Sequence, residues 1–132
     1  MSEPTLQRIL HVEDEPDIRA IAKLTLEALG GYQVESCESG AEALAKAPAF
    51  RPDLLLLDVM MPGMDGPMTL EALRKLPECA DIPAVFMTAK AQPHEIEKFR
   101  SLGAIDVVTK PFDPQELCGQ IDALWRRARG KP

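Results

Sequence analysis

Apolar residues occur along the chain in short runs that alternate with stretches of helical periodicity. The clearest run is residues 54–57, four leucines between a Pro-Asp turn and a Pro-Gly loop. This run has the length and the flanks of a strand that is buried on both faces. Shorter apolar runs predict four more strands, at residues 8–12, 32–37, 84–87 and 105–109.

Five helices are predicted between and after these strands. Pro16 opens the first helix, which continues to Leu29 and ends at a Gly-Gly pair. The others are expected at residues 39–47, 67–76, 95–102 and from 114 onward, and Pro48 and Pro52 should bracket the loop into the central strand. This alternation predicts an α/β fold in which a parallel sheet is covered by helices on both faces, with right-handed crossovers.

Length and charge narrow the functional classes. A chain of 132 residues has the size of one domain with one core. It lacks both a signal-peptide pattern and an apolar run of about 20 residues, so we expect a cytoplasmic protein without membrane insertion. The net charge of −6 argues against direct binding to nucleic acid. We interpret the basic cluster at residues 126, 127, 129 and 131 as a solvated helix end.

Polar residues follow the predicted strands at points that a parallel sheet brings to one edge. Glu13 and Asp14 follow the first strand, Asp58 the third, Thr88 the fourth and Lys110 the fifth. Carboxylates that cluster repel one another unless a cation lies among them, and oxygen ligands favour a hard ion such as Mg²⁺. The absence of cysteines and of a histidine pair at this edge argues against zinc or copper.

This arrangement suits phosphoryl transfer to Asp58. A carboxylate can accept a phosphoryl group as an acyl phosphate, whose oxygens the metal, Lys110 and Thr88 would share. Each residue also has a structural interpretation, as a turn cap, a surface ion pair, a strand residue or a helix cap. Their joint placement at four strand ends favours the functional interpretation. His11, within the first strand, is interpreted as packed or hydrogen-bonded rather than catalytic.

The sequence resembles the receiver domain of two-component response regulators, in the CheY-like superfamily. The resemblance rests on Glu13-Asp14, residues 58–66, Thr88-Ala89 and Lys110-Pro111-Phe112, in family order and spacing. It implies a flavodoxin-like, doubly wound, five-stranded parallel sheet in the order 2-1-3-4-5 with five helices. It also implies a single receiver domain over residues 1–132, with a core from about 6 to 127.

The same resemblance implies a signalling function rather than a classical enzyme. Asp58 would be phosphorylated by a histidine kinase or a histidine phosphotransfer protein, and the domain would assist its own phosphorylation and dephosphorylation. Mg²⁺, or Mn²⁺ as a substitute, would be bound by Glu13 through water, by Asp14, by Asp58 and by the backbone carbonyl of Met60.

Further roles follow from the family. Lys110 would neutralise the phosphoryl group, the Thr88 hydroxyl would move to bind it, and the bond before Pro111 would be cis. The face formed by the fourth helix, fifth strand and fifth helix would then bind a downstream protein or a second copy of the chain.

Two positions carry specific expectations. The switch position three residues before Lys110 is usually aromatic in the family and is Val107 here. We therefore expect phosphorylation to shift the Thr88 loop and the face formed by the fourth helix, fifth strand and fifth helix, with little signal from residue 107. Met60, two residues after Asp58, offers neither a donor nor a strong acceptor to a hydrolytic water, which predicts a long-lived phosphoryl group.

Two other functional classes fit the same topology. An aspartate-nucleophile phosphatase often has a second acid two residues after the nucleophile, where this chain has Met60. A flavodoxin-type FMN carrier needs a hydroxyl-rich or glycine-rich loop after the first strand, where the acidic residues 13–15 would repel a phosphate.

Overall fold

The computed structural model describes residues 5–130 and contains five strands that alternate with five helices. The elements are β1 (Arg8–Val12), α1 (Pro16–Ala28), β2 (Gln33–Cys37), α2 (Gly40–Phe50), β3 (Leu54–Asp58), α3 (Gly66–Leu73), β4 (Ala84–Thr88), α4 (Pro93–Ser101), β5 (Asp106–Thr109) and α5 (Pro114–Gly130). Lys131 of the basic cluster, like residues 1–4 and 132 of the predicted domain, lies outside the described residues.

The five strands form one parallel sheet in the order β2-β1-β3-β4-β5, which confirms the predicted fold class. The central strand β3 is buried at every position and pairs with β1 on one side and β4 on the other. Because every strand runs in the same direction, the carboxyl ends of all five reach one edge of the sheet. That edge carries the predicted site.

The leucine run explains how β3 holds the two halves of the core together. Leu55 and Leu57 pack with residues of α2, α3 and α4, whereas Leu54 and Leu56 pack with residues of α1 and α5. Successive side chains of a strand point to opposite faces, so a strand between two helical layers is apolar at every position. The sequence pattern and the layered fold therefore agree.

The expected end of the second helix was wrong, because α2 continues through Pro48 to Phe50. The Phe50 ring is buried, and the guanidinium of Arg8 lies 4.5 Å from its centre. Arg8 Nε also donates a hydrogen bond of 2.7 Å to the Phe50 carbonyl oxygen. These tertiary contacts at the end of the helix outweigh the single backbone hydrogen bond that a proline removes.

Two other helices begin earlier than their periodicity suggested. α3 begins at Gly66 because the Asp65 side chain accepts a hydrogen bond from the Met68 N–H, at 2.9 Å. It also ends at Leu73, before the expected Leu76. α4 begins at Pro93, where the Glu95 side chain accepts a hydrogen bond from the Gln92 N–H.

Within residues 5–130, none of the helices combines the length and the apolar character that crossing a bilayer requires.

Candidate functional site

Three acidic side chains meet where the two central strands end. Glu13 and Asp14 follow β1 directly, and Asp58 is the last residue of the neighbouring strand β3. One carboxylate oxygen from each lies within 4.8 Å of the other two. The Glu13 N–H donates a hydrogen bond of 2.9 Å to the Cys37 carbonyl oxygen, which keeps this end of β1 in line with the sheet.

Lys110 joins two of these acids. Its Nζ donates hydrogen bonds of 3.0 Å to Glu13 Oε1 and of 3.0 Å to Asp58 Oδ1. The side chains of Glu13 and Asp58 are 0% and 4% exposed, so these ion pairs are largely shielded from water. The Lys110 N–H also donates to the Thr88 carbonyl oxygen at 2.8 Å, which fixes the lysine at the end of β5 beside β4.

Burial dominates the electrostatics of the site. It raises the pKa of Asp58, against the opposing effect of Lys110 and with a further rise from Asp14. Burial likewise raises the pKa of Glu13 more than its hydrogen bond from Lys110 lowers it. Burial alone would lower the pKa of Lys110, but its bonds to Asp58 and Glu13 raise it, so the ammonium stays charged.

The acidic group fits a divalent cation. Three carboxylates and one ammonium leave a formal charge of −2, which a single divalent ion would balance. The converging donors are carboxylate oxygens, the ligands that Mg²⁺ and Mn²⁺ prefer. Among the described residues, this trio is also the only group of three or more Asp, Glu, His or Cys side chains close enough to share an ion.

The remaining predicted residues occupy the same edge or the surface beside it. Thr88 is buried, and its Oγ1 accepts a hydrogen bond of 3.1 Å from the Lys90 N–H. The Met60 side chain is 78% exposed, and the metal-binding role of its carbonyl stays a prediction. Val107 is half-buried and lines a groove of about 430 Å³ between α4 and α5. The Lys110-Pro111 bond is cis, as predicted.

Gly66 keeps α3 close to the end of β3. A Cβ at this position would lie 2.6 Å from the Asp58 carbonyl oxygen and 2.9 Å from the Val59 Cα, both backbone atoms that cannot rotate away. We expect Gly66→Ala to lower the free energy of unfolding by about 1–3 kcal/mol through overpacking. Urea titration checks this, with Gly119→Ala on α5 as the control because its Cβ would meet no atom within 4 Å. Equal stability of the two variants would contradict the expectation.

Sequence reasoning missed Arg19, in the second turn of α1. Its Nη1 donates hydrogen bonds to the carbonyl oxygens of Glu13, at 2.8 Å, and of Asp14, at 3.4 Å. Nothing in the periodicity of α1 distinguishes this arginine from a solvent-exposed one. Its position in the sequence could have indicated the contact, because Arg19 comes four residues after the acidic residues 13–15 and its long side chain can reach back to them.

A parallel sheet with an acidic trio and a lysine at its carboxyl edge has the ligands for a hard divalent cation and the cation that phosphoryl transfer requires. The family model described as "Response regulator receiver domain" matches residues 9–122. The chain therefore belongs to the response regulator receiver domain family.

Relatives and solved structures agree with this assignment. The chain is 39% identical over 123 residues to the DNA-binding dual master transcriptional regulator RpaA of Synechocystis, covering 92% of this chain and 50% of RpaA. It is 38% identical over 121 residues to the phosphate regulon transcriptional regulatory protein PhoB of Escherichia coli, covering 92% and 52%. Chemotaxis protein CheY4 of Vibrio cholerae superposes with a TM-score of 0.84 at 32% identity, covering 91% and 99% of the two chains.

These comparisons establish the function of the chain at the level of its family. The homologues are response regulators, which are signalling proteins and not classical enzymes, and this favours the receiver over the phosphatase and the FMN carrier. The chain spans about half the length of the curated relatives it matches. Because RpaA is a DNA-binding protein by name, the comparisons lend no support to the prediction that nucleic acid is not a direct partner.

Proposed function

We propose that this chain is the phosphoacceptor of a two-component or phosphorelay system, in which Asp58 is phosphorylated in a Mg²⁺-dependent reaction. The donor would be a histidine kinase or a histidine phosphotransfer protein. The observation that carries the proposal is the pair of 3.0 Å bonds from Lys110 Nζ to Asp58 and Glu13, beside three converging carboxylates. We include in the proposal a single receiver domain over residues 1–132 with its core at about 6–127, supported by the single sheet.

In the transfer step, a carboxylate oxygen of Asp58 attacks the phosphorus of the phosphohistidine. The new O–P bond forms as the P–N bond breaks, and the imidazole leaves with the electron pair of that bond. Lys110 Nζ exchanges one of its carboxylate partners for a phosphoryl oxygen. The ammonium group therefore stabilises the negative charge that develops on the phosphoryl oxygens without first having to move into the site. Thr88 can donate its O–H to a second phosphoryl oxygen, since a hydroxyl both donates and accepts.

Glu13, Asp14, Asp58 and the Met60 carbonyl would hold the Mg²⁺. The bound ion supplies positive charge to the phosphoryl oxygens and offsets the repulsion between them and the acidic side chains. Glu13 and Asp14 contribute by keeping this charge next to Asp58. Because Asp58 and Glu13 are buried, few water molecules screen the attraction.

Phosphorylation would then bias the surface formed by α4, β5 and α5. A Thr88 hydroxyl drawn toward the phosphoryl group gives up its bond to the Lys90 N–H, and Lys90 begins the loop that leads to α4. Val107 lies on β5 beneath the groove between α4 and α5 and has no ring to rotate. The displaced loop, rather than residue 107, would report the event to a downstream protein or a second copy of the chain.

The test is incubation with acetyl phosphate and Mg²⁺, followed by intact-mass measurement. We expect the wild-type protein to gain one phosphoryl group, and both Asp58→Asn and removal of the metal with a chelator to abolish the gain. Asp122→Asn is the matched control, because Asp122 pairs with Arg126 on α5 and lies outside the acidic trio, and this variant should be phosphorylated normally. A mass gain that persists in Asp58→Asn would refute the assignment of the phosphoacceptor.

We expect Met60→Asn to shorten the lifetime of the phosphoryl group severalfold. The exposed Met60 side chain cannot orient a hydrolytic water, whereas an amide can both donate and accept a hydrogen bond. The measurement is the loss of phosphorylated mass with time after removal of the donor. Met68→Asn, at a second exposed methionine, is the control. An unchanged lifetime in Met60→Asn would count against this explanation.

A further inference from the structure

Residues 13–15 form the acidic loop between β1 and α1. Its backbone is hydrogen-bonded to an arginine that was predicted neither as a metal ligand nor as a partner of the phosphoryl group. Arg19 Nη1 lies 2.8 Å from the Glu13 carbonyl oxygen and 3.4 Å from the Asp14 carbonyl oxygen. Arg19 is half-buried and projects from α1 back toward the start of that helix. One guanidinium nitrogen therefore bridges the two peptide units that carry the acidic pair.

The other hydrogen bonds of this loop are made by Glu13 and Glu15. The N-cap residue of α1, Glu15, makes no side-chain capping hydrogen bond. Both carboxylate oxygens of Glu13 are occupied, because Oε2 accepts from the Glu15 N–H at 3.1 Å and Oε1 accepts from Lys110. The position of Asp14 thus depends on the backbone, and the Arg19 guanidinium is hydrogen-bonded to the carbonyl oxygens of both Glu13 and Asp14.

We propose that Arg19 is a positioning residue that holds the carbonyls of Glu13 and Asp14 so that their carboxylates converge with Asp58 on a hard divalent cation. The inference deepens the proposed function and rests on it. Arg19 differs from Lys110 in one useful respect, because its hydrogen bonds go to carbonyl oxygens and leave the carboxylate oxygens available as ligands. Its positive charge therefore supports the acidic loop without competing with a metal.

The chain provides a matched control in Arg74, at the end of α3. Arg74 Nη1 donates to the carbonyl oxygens of Cys79 and Ile82, and Nη2 donates to that of Gly103. These carbonyls precede β4 and β5, at the opposite edge of the sheet from Asp58. Arg74 is thus also an arginine that holds backbone carbonyls, but it is remote from the acidic site.

The experiment compares the wild-type protein with Arg19→Gln, Arg19→Lys and Arg74→Gln. Mg²⁺ affinity is measured by calorimetry, and the free energy of unfolding by urea titration without metal. We expect Arg19→Gln to weaken Mg²⁺ binding about 10- to 100-fold, as loss of groups that orient metal ligands does. Arg19→Lys should recover part of the affinity because it keeps the positive charge and N–H donors on a single nitrogen. Arg74→Gln should lose stability while its Mg²⁺ affinity stays at the wild-type value.

Two-dimensional NMR of the metal-free proteins adds a readout independent of phosphorylation. In Arg19→Gln we expect the amide signals of residues 13–15 to shift while those of α5 stay in place, which also verifies that the variant folds. Unchanged Mg²⁺ affinity in folded Arg19→Gln, or an equal loss of affinity in Arg74→Gln, would overturn the inference.

Failure of the proposed function gives a different result. A wild-type protein that binds Mg²⁺ but never gains a phosphoryl group would refute phosphorylation, and the positioning role would then be decided by the affinities alone. A wild-type protein that binds no divalent ion would overturn the inference itself.

Discussion

Replacing Lys110 with methionine is expected to lower the free energy of unfolding of the metal-free protein by about 3 kcal/mol, because it removes the cationic partner of two buried carboxylates. Methionine keeps most of the volume, so the loss reports charge rather than packing. The same substitution should slow phosphorylation of Asp58 by about 100-fold, the usual cost of losing one donor to a developing oxyanion.

The pH dependence of the free energy of unfolding distinguishes the loss of the Lys110 charge from a general packing defect in Lys110→Met. Burial raises the pKa values of Glu13 and Asp58 in the folded state. Their ionised forms therefore destabilise the folded protein, and protonation of the two carboxylates removes this destabilisation. The deficit of Lys110→Met should therefore shrink as the pH falls toward and below the pKa values of the two acids. Urea titrations at several pH values measure it.

Lys23→Met is the matched control for this experiment. Lys23 forms an exposed ion pair with Glu27 on α1, and such pairs contribute about 0–1 kcal/mol. We expect Lys23→Met to differ little from the wild-type protein at any pH. Similar deficits in the two variants would contradict the importance of the Lys110 ion pairs.

The second large effect is expected at His11, a buried residue with no functional assignment. It lies on β1 beside Ser36 of β2 and Leu56 of β3, and neither ring nitrogen has a hydrogen-bond partner among the described residues. A buried polar atom without a partner costs stability, whereas an apolar replacement of similar volume does not. We expect His11→Leu to raise the free energy of unfolding by about 1–2 kcal/mol at pH 7.

The advantage of His11→Leu should grow as the pH falls. Burial, with smaller contributions from Lys110 and Arg19, lowers the pKa of His11 from 6.5 to about 4. Between pH 6.5 and about pH 4, His11 is protonated in the unfolded chain but stays neutral in the folded chain. The wild-type protein therefore loses stability as the pH falls below 6.5. The loss at this residue reaches about 2 kcal/mol by pH 5.

Chemical unfolding of both proteins between pH 7 and pH 5 measures this difference. His94→Leu is the control, because it removes an exposed histidine on α4 instead of the buried one. Parallel stability curves for the wild-type protein and His11→Leu would show that His11 is not held in its neutral form.

Several features of the site could be predicted because they depend only on chain order and strand direction. Asp58 follows a run of four leucines, and Lys110 follows the fifth strand. Once the strands are parallel, their carboxyl ends share an edge, so the convergence of Asp58, Glu13 and Lys110 needed no further information. Residue order thus predicted which side chains meet, though not which atoms pair.

Other features could not be predicted because they depend on contacts between distant segments. Local propensity places a loop at Pro48, yet the burial of Phe50 under Arg8 extends α2 by three residues. Arg19 is close in sequence to the acidic residues 13–15, but its contact depends on the direction that its side chain takes from α1, which periodicity does not describe. The burial of the His11 ring, with no hydrogen-bond partner in the part of the chain that the structure describes, likewise follows only once β1 lies between β2 and β3.

The amino-acid sequence by itself determined the alternation of elements, the buried central strand and the set of residues at its carboxyl edge, because hydrophobic periodicity and motif spacing are local properties of the chain. Only the tertiary structure decided that Lys110 binds Glu13 as well as Asp58, that Arg19 donates hydrogen bonds to the backbone carbonyls of Glu13 and Asp14, and that the ring nitrogens of His11 find no partner within residues 5–130. The first and the last depend on the distance between segments far apart in sequence, which is established only when the layers pack, whereas the contact of Arg19 depends on the direction that its side chain takes from α1.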